Sequence, residues 1–199
     1  MTDQIILASG SAIRADLLRQ VRLDFRVAIP RLDEDAIKAA LLAEEASPRD
    51  IADALAEMKA RKISDKNPDA YVIGCDQVLD AGGRMLSKPV SPENAREQLS
   101  ALSGQRHMLL SAAVIYHGGE PIWRHIGVAR LRMRPLSEGF IEDYVARNWD
   151  SIRHSVGAYK LEEEGALLFS NIEGDYFNVL GMPLIELMNY LVLRGVVTI

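Results

Sequence analysis

Cysteine is the scarcest chemistry-bearing residue here: Cys75 stands alone among 199 residues. A lone thiol excludes an internal disulfide and fits a reducing compartment, so a cytoplasmic location is expected. Long apolar runs are missing too, and the longest fall far short of the ~20 residues a membrane helix needs. The opening "MTDQIILASGS" has neither a basic region nor a long apolar stretch, so no secretory signal and no membrane partner are expected. There is no surplus of positive charge: the net charge is -5 and no long Lys/Arg run occurs, which argues against a nucleic-acid partner. A small anionic ligand in a local basic pocket stays compatible with that balance. The four histidines, His107, His117, His125 and His154, show no metal-ligand spacing. No internal repeat, low-complexity tract or G-x-x-x-x-G-K-[ST] loop is present.

What is there is ordinary globular material, 48% apolar and 26% charged. The length allows one substantial domain or two small lobes sharing a cleft. "QIILA" reads as a buried strand, followed by a small-residue loop and by "AIRADLLRQV", whose Ile13, Leu17 and Leu18 recur at helical spacing. A strand, a short loop and a helix N-terminus suit anions, because free backbone N–H groups and the helix dipole point at the loop. "DFRVAI" reads as a second strand. Ser47 and Pro48 open a helix running to about Lys66, and Ser91 and Pro92 open another, with Gly104 just past its end. "AYVIGCDQVLD" is a strand turned by "AGG" into "RML", and "HMLLSAAVIY" pairs with "PIWRHIGVARLRM" across "HGGE". "SEGFIEDYVARN" reads as a helix, "GALLFSNI" as a strand and "MPLIELMNYLVLRG" as a closing helix. Early alternation and later hairpins predict an α/β fold with a mixed sheet and two lobes.

Three cations and two acids stand out. Arg14 lies one turn into the first helix, Lys59 on the face of the long helix and Lys88 in "LSKP". Taken singly, each reads as a solvated surface charge. Glu34 in "LDED" and Asp76 in "VIGCDQVLD" lie at or near strand ends, where open α/β sheets place ligand sites. With Ser9 and Ser11 in the loop, this set is what a triphosphate with a divalent metal would need.

The ordered segments "ILASGSAIRADLL", "LDED", "AEMKA", "IGCDQVL", "LSKP", "LSGQRH" and "IEGDYFNVLGMPL" resemble the Maf family of nucleoside triphosphate pyrophosphatases, over Leu7 to Leu184. The resemblance implies one domain spanning residues 1–199. Its fold would be a mixed twisted sheet flanked by helices, with two lobes around a cleft, related to the inosine triphosphate pyrophosphatases. It implies cleavage of a nucleoside triphosphate between the α and β phosphates with Mg²⁺ or Mn²⁺, and a homodimer. It places the catalytic aspartate on Asp76, the family's lysines on Lys59 and Lys88, and the phosphate loop on Ser9, Ser11 and Arg14. The acid of the "DET" motif falls on Glu34, a metal ligand beside Asp76. Arg14, Lys59 and Lys88 would then neutralise phosphate charge. An ordinary Asp, with a pKa of ~3.9, is a weak base at neutral pH. Asp76 is therefore either the base for an already acidified water or chiefly a metal ligand.

Three positions bear on the base. Gln77 and Glu162 match the 7-methyl-GTP branch rather than the pyrimidine branch. A carboxylate at Glu162 can accept the two parallel donors of guanine, N1–H and the exocyclic amine. Ile13 stands where that branch has Trp and the pyrimidine branch Arg, and it can neither stack as Trp does nor donate. Ala12 and Met58 also depart from the family pattern. The expected activity is on 7-methyl-GTP or a related modified guanine nucleotide; the rivals are a dTTP/UTP pyrophosphatase and a non-catalytic nucleotide-binding regulator of cell division. Cys75 is expected to face the core, Trp123 and Trp149 to pack, and Asp175 and Asn178 either to serve the site or to shape a turn.

Overall fold

The computed structural model describes residues 4–199. Its centre is a seven-stranded mixed sheet in the order β2-β1-β3-β5-β6-β7, with β4 on β3. The strands are β1 (Ile5–Ala8), β2 (Arg26–Val27), β3 (Tyr71–Ala81), β4 (Arg84–Leu86), β5 (Arg106–His117), β6 (Glu120–Met133) and β7 (Phe169–Glu173). β1 lies parallel to β2 and β3, and the remaining pairings are antiparallel. β3 reads as a continuous apolar run rather than an alternation because both of its faces are buried.

The helices are α1 (Ala12–Gln20), α2 (Glu34–Ala43), α3 (Pro48–Ser64), α4 (Pro92–Leu102), α5 (Glu138–Ile152), α6 (Tyr176–Val179) and α7 (Leu184–Leu193). The serines expected to start helices do so: Ser47 Oγ accepts from Asp50 N–H at 3.2 Å and Ser91 Oγ from Asn94 N–H at 3.1 Å. Among the described residues no helix is long and apolar enough to cross a membrane.

Three apolar clusters divide the sheet. α3 covers one face, over Val72, Val78, Ala112 and Val114. It approaches closely because Gly74 has no side chain; a Cβ there would run into the Ala56 carbonyl and the Ala60 backbone nitrogen. The opposite face is shared. At one end α1 and α7 cover Ile73, Cys75, Ala113 and Ile115, and at the other α4 and α5 cover Leu79, Leu109, Ala129 and Leu131. Two lobes therefore rest on the same long strands, with a seam between Cys75 and Leu79. The seam also reaches the sheet edge: β1 pairs with β3 only as far as Gly74 and β4 joins only at Leu79. Such a break in strand order is where open α/β sheets receive ligands.

The sequence misplaced four local features. The "DFRVAI" strand shrinks to two exposed residues, since β1 offers only Ile6 and Leu7 for pairing. α2 was unforeseen, although Asp33 caps it by accepting from Ala36 N–H at 3.0 Å. "GALLFSNI" is a strand only from Phe169; Glu164–Leu168 forms a 3₁₀ turn instead. The four-residue α6 occupies what read as a turn.

Candidate active site

Asp76 and Lys59 meet inside the fold. Asp76 projects from β3 toward α3 and is 5% exposed; Lys59, on α3, is 6% exposed. Lys59 Nζ lies 2.6 Å from Asp76 Oδ1 and 3.0 Å from Glu34 Oε1 at the start of α2. One ammonium thus bridges two carboxylates contributed by separate elements. Burial raises the Glu34 pKa, but the Lys59 charge and hydrogen bond, with Lys38 and Lys88 nearby, outweigh it and hold the carboxyl below its ordinary value. Among the described residues Asp76 Oδ2 is buried without any partner, an arrangement that costs free energy unless something binds it. Lys88 stands at the solvent side, exposed. Its pKa is lowered first by lost hydration and then by Arg14, with Glu34 pulling the other way. All three cations and both acids named from the sequence therefore gather around one point.

The loop after β1 supplies the other wall. Ala8 pairs with Gly74, which brings Ser9 alongside Cys75. Ser9 Oγ accepts from Ser11 N–H at 3.2 Å and from Arg14 Nη1 at 3.4 Å. Ser11 precedes α1 but makes no capping bond with its side chain, so the first-turn N–H groups stay available to an anion. Arg14 is tethered: Nη1 donates to the Cys75 carbonyl at 2.9 Å and Nε to the Gly181 carbonyl at 2.8 Å. Gly181 turns at φ +97°, a conformation favouring glycine, and so aims its carbonyl at the guanidinium.

The specificity candidates lie elsewhere on the seam. Gln77 faces away from α3, between the two clusters, and its Nε2 donates to Ser111 Oγ and to the Asn178 and Val179 carbonyls, each at 3.0 Å. Ile13 is half-buried against the α1/α7 cluster. Glu162 sits exposed between two 3₁₀ turns. Gly157, in the first of these turns, packs on Leu79, roughly 10 Å along β3 from Asp76 at the usual rise per strand residue. The acids flanking Glu162 are tied down: Glu163 pairs with Lys160 at 3.2 Å and Glu164 with Arg147 at 2.7 Å. Among the described residues Glu162 has no ion-pair partner.

Other side chains drop out of the chemistry. Burial pushes the Cys75 thiol up to about 11, which removes it as a nucleophile. His107 Nε2 lies 2.7 Å from Tyr159 Oη in the α4/α5 cluster. Asp175 caps α6 through Phe177 N–H at 2.6 Å. Trp123 and Trp149 pack against the clusters. Among the described residues no three His, Cys, Asp or Glu side chains are grouped to hold a metal. A hollow of about 270 Å³ lined by Asp80, Arg106, Arg130 and Glu173 lies on the far end of the α3 face and contains none of the candidate residues.

A family model described as "Maf-like protein" matches residues 4–193. A "Nucleoside triphosphate pyrophosphatase" of Ruegeria pomeroyi is 69% identical over 197 residues, 99% of either chain. One of the same description from Caulobacter vibrioides is 48% identical over 195 residues, 98% of either chain. A "7-methyl-GTP pyrophosphatase" of Brucella abortus biovar 1 is 45% identical over 188 residues, 94% of either chain.

Proposed function

The chain belongs to the Maf-like family, and from that premise we propose that it hydrolyses 7-methyl-GTP or a related modified guanine nucleotide, using Asp76, Lys59 and Lys88 for the chemistry. The coarser activity is firm: the protein is a nucleoside triphosphate pyrophosphatase. The observation that carries the site is Lys59 bridging Asp76 and Glu34 beside the Ser9–Arg14 loop.

An ammonium has three N–H donors. Two of those on Lys59 serve carboxylates, and the third, without a partner among the described residues, would serve a phosphate oxygen. Arg14, held by two backbone carbonyls, and the exposed Lys88 add charge where the leaving pyrophosphate develops it. The Ser9–Ser11 loop and the first-turn N–H groups of α1 hold the anion in place. Asp76 orients the attacking water at the α phosphorus. Two carboxylates with no third His, Cys, Asp or Glu grouped beside them among the described residues match a hard cation that takes most of its coordination from phosphate and water. Asp76, through its unpartnered Oδ2, and Glu34 would hold Mg²⁺ or Mn²⁺ there. Such an ion supplies charge neutralisation and a more acidic water.

For the base, the support is Glu162, the one acid of its run left without an ion pair, which fits guanine's paired donors. Ile13, packed against its cluster, offers no stacking plane, so the methyl preference rests on the charge attraction between Glu162 and the cationic ring. A cytoplasmic homodimer completes the proposal. The test is pyrophosphate release across a panel of 7-methyl-GTP, GTP, dTTP and UTP, with Mg²⁺ and Mn²⁺ compared. The guanine nucleotides should lead, and Glu162→Gln should shift preference toward uracil. A panel led by dTTP and UTP would overturn the base assignment while leaving the pyrophosphatase intact.

A further inference from the structure

A row of three residues crosses the sheet at the seam: Gln77 on β3 pairs with Ser111 on β5, which pairs with Gly127 on β6. On either side of the row the strands feed different clusters, Cys75 and Ala113 in one and Leu79, Leu109 and Ala129 in the other. α6 sits over the row and spans the same divide, with Val179 in the far cluster and Leu180 in the near one. Glycine at 127 is required, because a Cβ there would overlap the buried Asn178 carboxamide.

The bonding in this seat settles which way the Gln77 amide points. Ser111 is fully buried and has one hydroxyl hydrogen, spent on the Asn178 carbonyl at 2.6 Å, so toward Gln77 it can only accept. The Asn178 and Val179 carbonyls can only accept as well. The group facing all three must be the NH₂, since the opposite orientation would press Oε1 against two carbonyl oxygens. Gln77 Oε1 is thereby turned outward, with no hydrogen-bond partner among the described residues and not sealed from solvent.

We propose that Ser111, Asn178 and Gly127 are positioning residues that lock Gln77 as a fixed hydrogen-bond acceptor in the seam, where it takes a hydrogen of the guanine exocyclic amine that Glu162 leaves unused. The inference rests on the guanine assignment above and adds the direction in which Gln77 reads the base. It makes a near-isosteric change harmful: Gln77→Glu keeps an outward oxygen but sets a second oxygen against the α6 carbonyls.

GTP and ITP differ only by that amine, so their ratio of kcat/KM reads the contact. Wild type should prefer GTP by about five- to tenfold, the worth of one neutral hydrogen bond. In Gln77→Met and Gln77→Glu the ratio should fall toward one, mainly through the KM for GTP. Ser111→Ala and Gly127→Ala, which touch no nucleotide, should lower it by about threefold. In ¹⁵N-labelled wild type the Gln77 side-chain NH₂ should be protected from solvent exchange, and Ser111→Ala should release it. An unchanged GTP:ITP ratio in Gln77→Glu overturns the proposal, as does an unprotected wild-type NH₂. If wild type favours UTP over GTP, the guanine assignment fails; NH₂ protection then still decides whether the lock exists.

Discussion

At the scale of single residues, Lys59 and Asp76 carry unequal structural burdens. Lys59 neutralises two carboxylates, whereas Asp76 is one of two partners. Removing the shared cation leaves a buried carboxylate uncompensated, a change that costs about 3 kcal/mol or more. Asp76→Asn removes a charge and leaves Lys59 paired with Glu34. Thermal unfolding should therefore show Lys59→Met as much the less stable variant and Asp76→Asn close to wild type. Turnover should be lost in both, by at least about a hundredfold in Asp76→Asn, in line with the loss of a positioned acid/base group. If Asp76→Asn still hydrolysed nucleotides near the wild-type rate, Asp76 would have no part in orienting water.

At the scale of elements, the wall that carries Glu162 is pinned to β5 by His107, whose Nε2 meets Tyr159 Oη at 2.7 Å. Burial lowers the His107 pKa from 6.5 to about 4. Between those values the unfolded chain binds a proton that the folded one refuses. Stability from this site is thus complete above pH 6.5 and declines as pH falls toward 4. Urea titrations should show stability falling across that window, and His107→Gln, which can still bond Tyr159, should flatten the slope. The same strands explain what the sequence could disclose. β3 and α3 were legible because a buried run and a capped, periodic helix are local patterns. Asp76, Lys59 and Arg14 were found as motif residues. Ser111 and Gly127 were invisible, because their importance comes from lying opposite Gln77 in a register set by three strands. α6 escaped notice for a similar reason: four residues hold no helical period, and it is fixed by its seat between clusters. Glu34 was named without its helix, since Asp33's capping role rests on one acid among several in "LDED".

At the scale of the whole molecule, a chain of net charge -5 gathers Arg14, Lys59 and Lys88 at one seam. A ligand that spans the seam binds the folded state alone, so it must raise the unfolding temperature by mass action. At about a hundredfold excess over Kd the gain is ~2.7 kcal/mol, and for a protein of this size each kcal/mol moves Tm by roughly 2–4 °C. A non-hydrolysable α,β-methylene analogue of GTP with Mg²⁺ should therefore raise Tm by roughly 5–10 °C. Screening should weaken the effect as salt increases, because Lys88 and the loop are solvent-accessible. Lys88→Ala should shrink the shift, since it removes an exposed cation and no core contact. Asp76→Asn should retain the shift while abolishing turnover, which separates a catalyst from a protein that only senses nucleotides: a sensor would show the same shift and no pyrophosphate release even as wild type. A wild-type protein that gains no thermal stability from the analogue would mean that the seam between the lobes does not receive a triphosphate, and the convergence of Arg14, Lys59 and Lys88 would need another explanation.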